Sequence, residues 1–163
     1  MIYGLIAAFL IALDQLVKYL VMTNIPLGEH VPFIPYIMEL TYVTNTGAAF
    51  SIFSDHTWAL AAVSLVMSIV LALALWKGLF RHPLGRFTLT LLLAGALGNF
   101  IDRAFRGFVV DMFNVLFMHF AVFNVADICV VVGGIAAGLY YLFLMDKLEG
   151  REEESHDGSD ADR

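Results

Sequence analysis

The chain has 163 residues, of which 60% are hydrophobic and 15% charged, with a mean hydropathy of +0.81. A soluble domain of this length carries about 25% charged residues, so the composition excludes an ordinary soluble globule and indicates one integral membrane domain. The formal charge of −6 arises mainly in residues 149–163; without them the chain is near neutral and offers no basic surface to nucleic acid.

The first apolar stretch runs from Ile2 to about Met22, long enough to cross a hydrocarbon core of roughly 30 Å. It lacks a basic leader region, holds Asp14 and Lys18, and has no small-residue cleavage site, so it reads as a retained helix. The loop after it contains no lysine or arginine between Thr23 and His56. Within that loop, Met38 to Thr44 alternates β-branched and aromatic types and predicts a short strand. Asn45 and Gly47 then mark a turn.

The second span runs from Trp58 to Trp76, uncharged, with a tryptophan at each end as at membrane interfaces. Lys77, Arg81 and Arg86 follow. By the positive-inside rule that loop is cytoplasmic and the preceding one exported. The third span runs from Arg86 to about Arg103. The loop from Ala104 to Ala121 then faces outward, with a β-like run at Phe108 to Val110; Arg106 stands in it against the rule. The fourth span runs from about Val122 to Met145. Both termini are thus cytoplasmic. Residues 1–148 form the membrane domain and 149–163 a disordered acidic tail.

Ala94 with Gly98 in the third span, and Gly134 with Gly138 beside Gly133 and Ala137 in the fourth, have the spacing that lets helices approach closely. Chance in glycine-rich apolar sequence explains them equally well. The single cysteine, Cys129, reads as a buried hydrophobe. The five histidines are scattered, and no metal site is expected.

Ionisable groups within spans mark function by default, and here they gather at the outer side. Asp14 and Lys18 lie one turn apart on one helix face. Asn99, Asp102 and Arg103 close the third span, Asp111 lies in the outer loop, and Asn124 and Asp127 open the fourth. Most have a structural reading. Lys18 pairs with Asp14 while its head snorkels outward. Arg103 pairs with Asp102 or anchors at the headgroups. Asn124 caps the fourth helix, and Asn99 bridges helices. Asp111 and Asp127 resist such readings, because apolar residues flank both and no adjacent cation neutralises them.

The motifs in chain order are DQLVK at Asp14–Lys18, YVTNTGAAFSIF at Tyr42–Phe53, GALGNFIDR at Gly95–Arg103, GFVVDMFNV at Gly107–Val115 and FNVAD at Phe123–Asp127. In these, over nearly the whole chain except the acidic tail, the sequence resembles the lipoprotein signal peptidases (signal peptidase II). The resemblance implies an all-α integral membrane protein of four transmembrane helices with a small β-rich extracytoplasmic subdomain, in a bacterial inner membrane. It implies an aspartic endopeptidase that cuts diacylglyceryl-modified prolipoproteins before the lipidated cysteine. The catalytic aspartates fall on Asp111 and Asp127. Supporting residues fall on Asp14, Lys18, Asn45, Gly47, Asn99, Asp102, Arg103 and Asn124.

Two carboxylates held close share a proton, so one takes a proton from water while the other donates to the carbonyl. Substrate lipid enters sideways from the bilayer, and Thr44 to Phe53 is the candidate lid. No cofactor is expected, and a monomer suffices. The rival readings are a small transporter or channel, disfavoured by the uncharged second span and the apolar inner half, and a non-enzymatic scaffold.

Overall fold

The computed structural model describes residues 1–47, 57–145 and 147–148. The tail 149–163, and most of the candidate lid, lie outside the described residues.

Among the described residues four helices are each long and apolar enough to cross a membrane: α1 (Ile2–Asn24), α2 (Thr57–Trp76), α3 (Pro83–Phe105) and α4 (Val125–Leu139), the last prolonged by a π-helical turn at Tyr140–Leu144. They alternate in direction, the starts of α1 and α3 lying at the same end as the finish of α4. At one end Tyr3 of α1 donates to the Pro83 carbonyl of α3 at 3.4 Å, and Tyr140 packs edge-on against Phe80. At the other end lies a three-stranded antiparallel sheet, β1 (His30–Ile34), β2 (Met38–Asn45) and β3 (Val109–Val115), in that spatial order.

The helix boundaries follow local chemistry. Helix α3 begins three residues before the expected Arg86 because His82 caps it and Pro83 occupies its first turn. It ends where Gly107, at φ 78°, takes the left-handed conformation that stops a helix and turns the chain into β3. Helix α4 begins at Val125 rather than Val122. Phe123 is still extended and pairs with Phe113 of β3, accepting from its N–H at 2.8 Å and donating back at 3.2 Å. Strand β3 is longer than the expected run at Phe108 to Val110, so Asp111 sits on a strand rather than in an irregular loop. Strand β1, whose Pro32 and exposed side chains hide its periodicity, was not apparent from sequence.

Sheet and helices share a core of Val21, Ile25, Val110 and Met112. The inward residues of β3 thus rest on the last turn of α1, and the same strand presents Asp111 to the bundle. Small residues set the α3–α4 approach, but not all of those that sequence spacing suggested. A side chain at Gly133 would meet the backbone N of Leu92 at 3.0 Å, and one at Gly95 would meet Val130 Cγ2 at 2.6 Å. Gly138 has nothing within 4 Å. The close seam is therefore Gly95, Gly98 and Gly133, with Gly138 outside it.

Replacing Gly133 with Ala is expected to cost about 1–3 kcal/mol, because the clash is with backbone that cannot rotate away. Gly138→Ala is expected to be neutral or to stabilise by up to about 1 kcal/mol through helix propensity. Thermal unfolding in detergent checks this, and equal effects at the two positions would overturn the assigned seam.

Candidate active site

The polar residues predicted from sequence converge where the sheet meets the helices. Their centre is Lys18, fully buried. Its ammonium has three protons and three acceptors: Asp14 Oδ2 at 2.8 Å, Asp102 Oδ2 at 2.8 Å and Asn99 Oδ1 at 3.1 Å. The expected pairing of Lys18 with Asp14 is present, but the head does not snorkel outward; Asp102 holds it inside. Asp14 also accepts from the Ala126 N–H of α4 at 2.9 Å, and Asp102 from the Val110 N–H of β3 at 3.2 Å. Two buried carboxylates therefore tie four elements together.

Asn99 passes this order to the candidate pair. Because its oxygen faces Lys18, its amide nitrogen faces Asp127 and donates to Oδ1 at 2.8 Å. Asn124 spends one amide proton on Asn99 Oδ1 at 3.2 Å and the other on Asp111 Oδ1 at 2.7 Å. Asn45, at the end of β2, donates to Asp111 Oδ2 at 2.9 Å. Asn124 is also the cap of α4, as its sequence position suggested. It forms a reciprocal box in which Asp127 N–H donates to Asn124 Oδ1 at 2.9 Å and Asn124 N–H donates to Asp127 Oδ2 at 3.1 Å. One asparagine thus fixes the start of the helix and orients both aspartates.

Asp111 and Asp127 line one cavity of about 440 Å³. Asn45, Asn99 and Arg103 supply its other polar groups, and Val109, Phe120, Phe123, Ile128, Val130 and Val131 most of its apolar wall. Burial pushes the Asp111 carboxyl up from the ordinary 3.8 to about 6; the Asn45 bond opposes the rise, and the nearby Asp127 charge adds to it. Arg103 does not pair with Asp102 in the way sequence adjacency suggested. Its Nη2 donates to the Gly47 carbonyl at 3.1 Å, and its buried Nε has no partner among the described residues. Gly47 in turn donates its N–H to Asn45 Oδ1 at 2.9 Å.

All ten residues singled out by sequence meet here. Two others were missed. Gln15 donates to Asp102 Oδ1 at 3.1 Å and to the Gly98 carbonyl at 3.2 Å, and Arg106 contacts both Gln15 and Asp102. The available signal was the placement of Arg106 against the charge bias, which a buried counter-charge accounts for.

A family model described as signal peptidase (SPase) II matches residues 6–143. A protein of Streptococcus pneumoniae named lipoprotein signal peptidase is 46% identical over 153 residues, spanning 91% of this chain and 96% of that one. One of the same name from Enterococcus faecalis is 41% identical, spanning 93% and 92%. A solved bacterial membrane enzyme, determined by the in meso method, superposes with a TM-score of 0.81 at 32% identity and covers 90% of each chain.

The raised carboxyl of Asp111 gives a stability test. A carboxyl whose folded pKa is raised binds its proton more tightly in the folded chain, so its contribution is full below about pH 4 and lost as pH rises through about 6. The melting temperature of the unaltered chain in detergent is therefore expected to fall relative to Asp111→Asn across that window. A constant difference would overturn the burial argument.

Proposed function

Because the chain belongs to the signal peptidase II family and is a membrane peptidase, we propose that it acts as an aspartic endopeptidase through Asp111 and Asp127. Its proposed substrates are diacylglyceryl-modified prolipoproteins, cut just before the lipidated cysteine. The family gives no support to the transporter reading. The observation that carries the catalytic assignment is the shared cavity: two carboxylates from separate elements, each fixed by asparagine amides, face one largely apolar space.

The chemistry follows from that arrangement. Two carboxylates in a poorly solvated space do not both ionise cheaply, so the pair holds one proton and titrates as a unit. The ionised member takes a proton from water as the water oxygen attacks the scissile carbonyl. The protonated member donates to the carbonyl oxygen, and a second transfer releases the amine. Asn45 and Asn124 keep the carboxylates turned toward the cavity. Arg103 lines the cavity beside the two aspartates, and its guanidinium is the candidate donor to a substrate carbonyl. Val131 and Val132 on α4 line the cavity yet are exposed, which supports sideways entry of the substrate's acyl chains from lipid.

Lys77, Arg81 and Arg86 lie at the end of the bundle opposite the aspartates. That supports a cytoplasmic position for them and for both termini, with cleavage at the extracytoplasmic face.

Asp111→Asn and Asp127→Asn are each expected to lower cleavage of a diacylated prolipoprotein by roughly 10³-fold or more, without loss of membrane insertion. Asn45→Ala is expected to slow it by roughly tenfold, the worth of one hydrogen bond to a charged group. Initial rates with purified protein in detergent measure both effects. Near-normal turnover by either aspartate variant would exclude the pair.

A further inference from the structure

Arg106 is the one lysine or arginine in the connection between α3 and α4, and it is not simply solvated. Its Nη1 donates to Gln15 Oε1 at 2.9 Å and contacts Asp102 Oδ1. Its side chain is 27% exposed and that of Asp102 0%. Asp102 is thereby saturated. Its Oδ1 takes Arg106 and Gln15, and its Oδ2 takes Lys18 and the Val110 N–H.

Lys18 alone would have to serve two buried carboxylates, Asp14 and Asp102. With Arg106 in place there are two cations for two carboxylates, and the third proton of Lys18 goes to Asn99 Oδ1. That bond sets which way the Asn99 amide faces. An amide reversed by 180° would present its oxygen to Asp127 and its nitrogen to Lys18, an arrangement with two repulsive contacts.

We propose that Arg106 is a positioning residue for the reaction of the Asp111–Asp127 pair, acting through Asp102, Lys18 and Asn99. The proposal rests on the reading of that pair given above. Removing the Arg106 charge leaves one uncompensated negative charge among the buried groups beside the pair. It draws Lys18 toward the two carboxylates and loosens its hold on Asn99. It also disfavours ionisation of the pair, in a medium where charges a few ångströms apart are weakly screened. Among the described residues, the charged groups that face the pair are Lys18 and Asp14 from α1 and Arg103 from α3, while Asp102 of α3 stands behind them, on Lys18 and near Arg103. From β2 and the α4 cap the contacts are with neutral amides, Asn45 and Asn124. Substitution at position 106 alters the identity of none of these residues.

The test is the pH–rate profile for cleavage of a diacylated prolipoprotein by purified protein in detergent. Arg106→Gln is expected to move the acidic limb upward by about 0.5 to 1 pH unit. It is also expected to lower kcat roughly three- to tenfold with KM nearly unchanged. Arg106→Lys keeps the charge and is expected to keep the limb in place. The double variant Asp102→Asn with Arg106→Gln removes one charge of each sign, so its limb is expected to return to that of the unaltered chain even though its rate stays low. A limb in Arg106→Gln that superimposes on the unaltered one overturns the proposal, as does a limb that stays shifted in the double variant. Should Arg106→Gln not fold, Arg106→Met, which keeps the aliphatic stem and removes the charge, is read in its place by the same criterion. Full activity of Asp111→Asn or Asp127→Asn would instead overturn the pair itself, whatever the Arg106 profiles show.

Discussion

A lysine ammonium with no solvent exposure is the constraint around which the sheet end of this bundle is built. Lys18 sits in the middle of a membrane helix, where an unpaired charge costs several kcal/mol even after relaxation. Each of its protons meets an acceptor, on α1 itself and twice on α3. Its carboxylate partners then recruit backbone donors, Asp14 the start of α4 and Asp102 the β3 strand. Removing the ammonium would leave two buried carboxylates short of cations and four elements short of a shared centre. The packing tolerates that centre only because α3 carries Gly98 beside it: a side chain there would meet Asp14 Oδ2 at 2.8 Å.

The sheet extends the same logic beyond the helices. A helix bundle alone could carry Asp127, which belongs to the first turn of α4, but nothing helical would bring Asp111 opposite it. Strand β3 does so because it is clamped on three sides. It pairs with β2, its Val110 N–H is tied to Asp102, and its far edge exchanges hydrogen bonds with Phe123. Phe123 immediately precedes Asn124, so the extended pairing that delays α4 by three residues also sets the asparagine between the two aspartates.

Sequence disclosed these features unequally, for physical reasons. Span existence was plain, because a run of about twenty apolar residues has few other stable fates. Boundaries were not, since they depend on caps: His82 and Asn124 act through side-chain bonds that hydropathy does not register. Strand β2 had a periodic signal; β1, broken by Pro32 and exposed throughout, had none. The ten candidate residues that converge here were legible because polar groups in apolar surroundings stand out and because the motifs resemble a known family. Gln15 escaped since one uncharged residue beside Asp14 carries no cost signal, and the alternative of an Arg103–Asp102 pair is not realised since adjacency says nothing of direction. Residues next to each other on a helix diverge by about 100°, whereas Arg106, four positions after Asp102, lies on the same face.

That geometry also frames the charge state of the cavity. Among the described residues, four carboxylates, Asp14, Asp102, Asp111 and Asp127, cluster with three cations, Lys18, Arg103 and Arg106. Arg106 and Lys18 are committed to Asp102 and Asp14, which leaves Arg103 as the remaining counter-charge for the proposed pair. A buried cluster is least costly when electrically neutral, and one proton supplies the difference. The proton that hydrolysis by paired aspartates requires is thus the same one that this arrangement of fixed charges favours, held beside a cavity whose walls are otherwise apolar. On that argument the sheet end of the bundle does not merely carry the proposed pair. Its helix packing, its capping asparagine and its ion network favour the same protonation state that the proposed chemistry needs at the start.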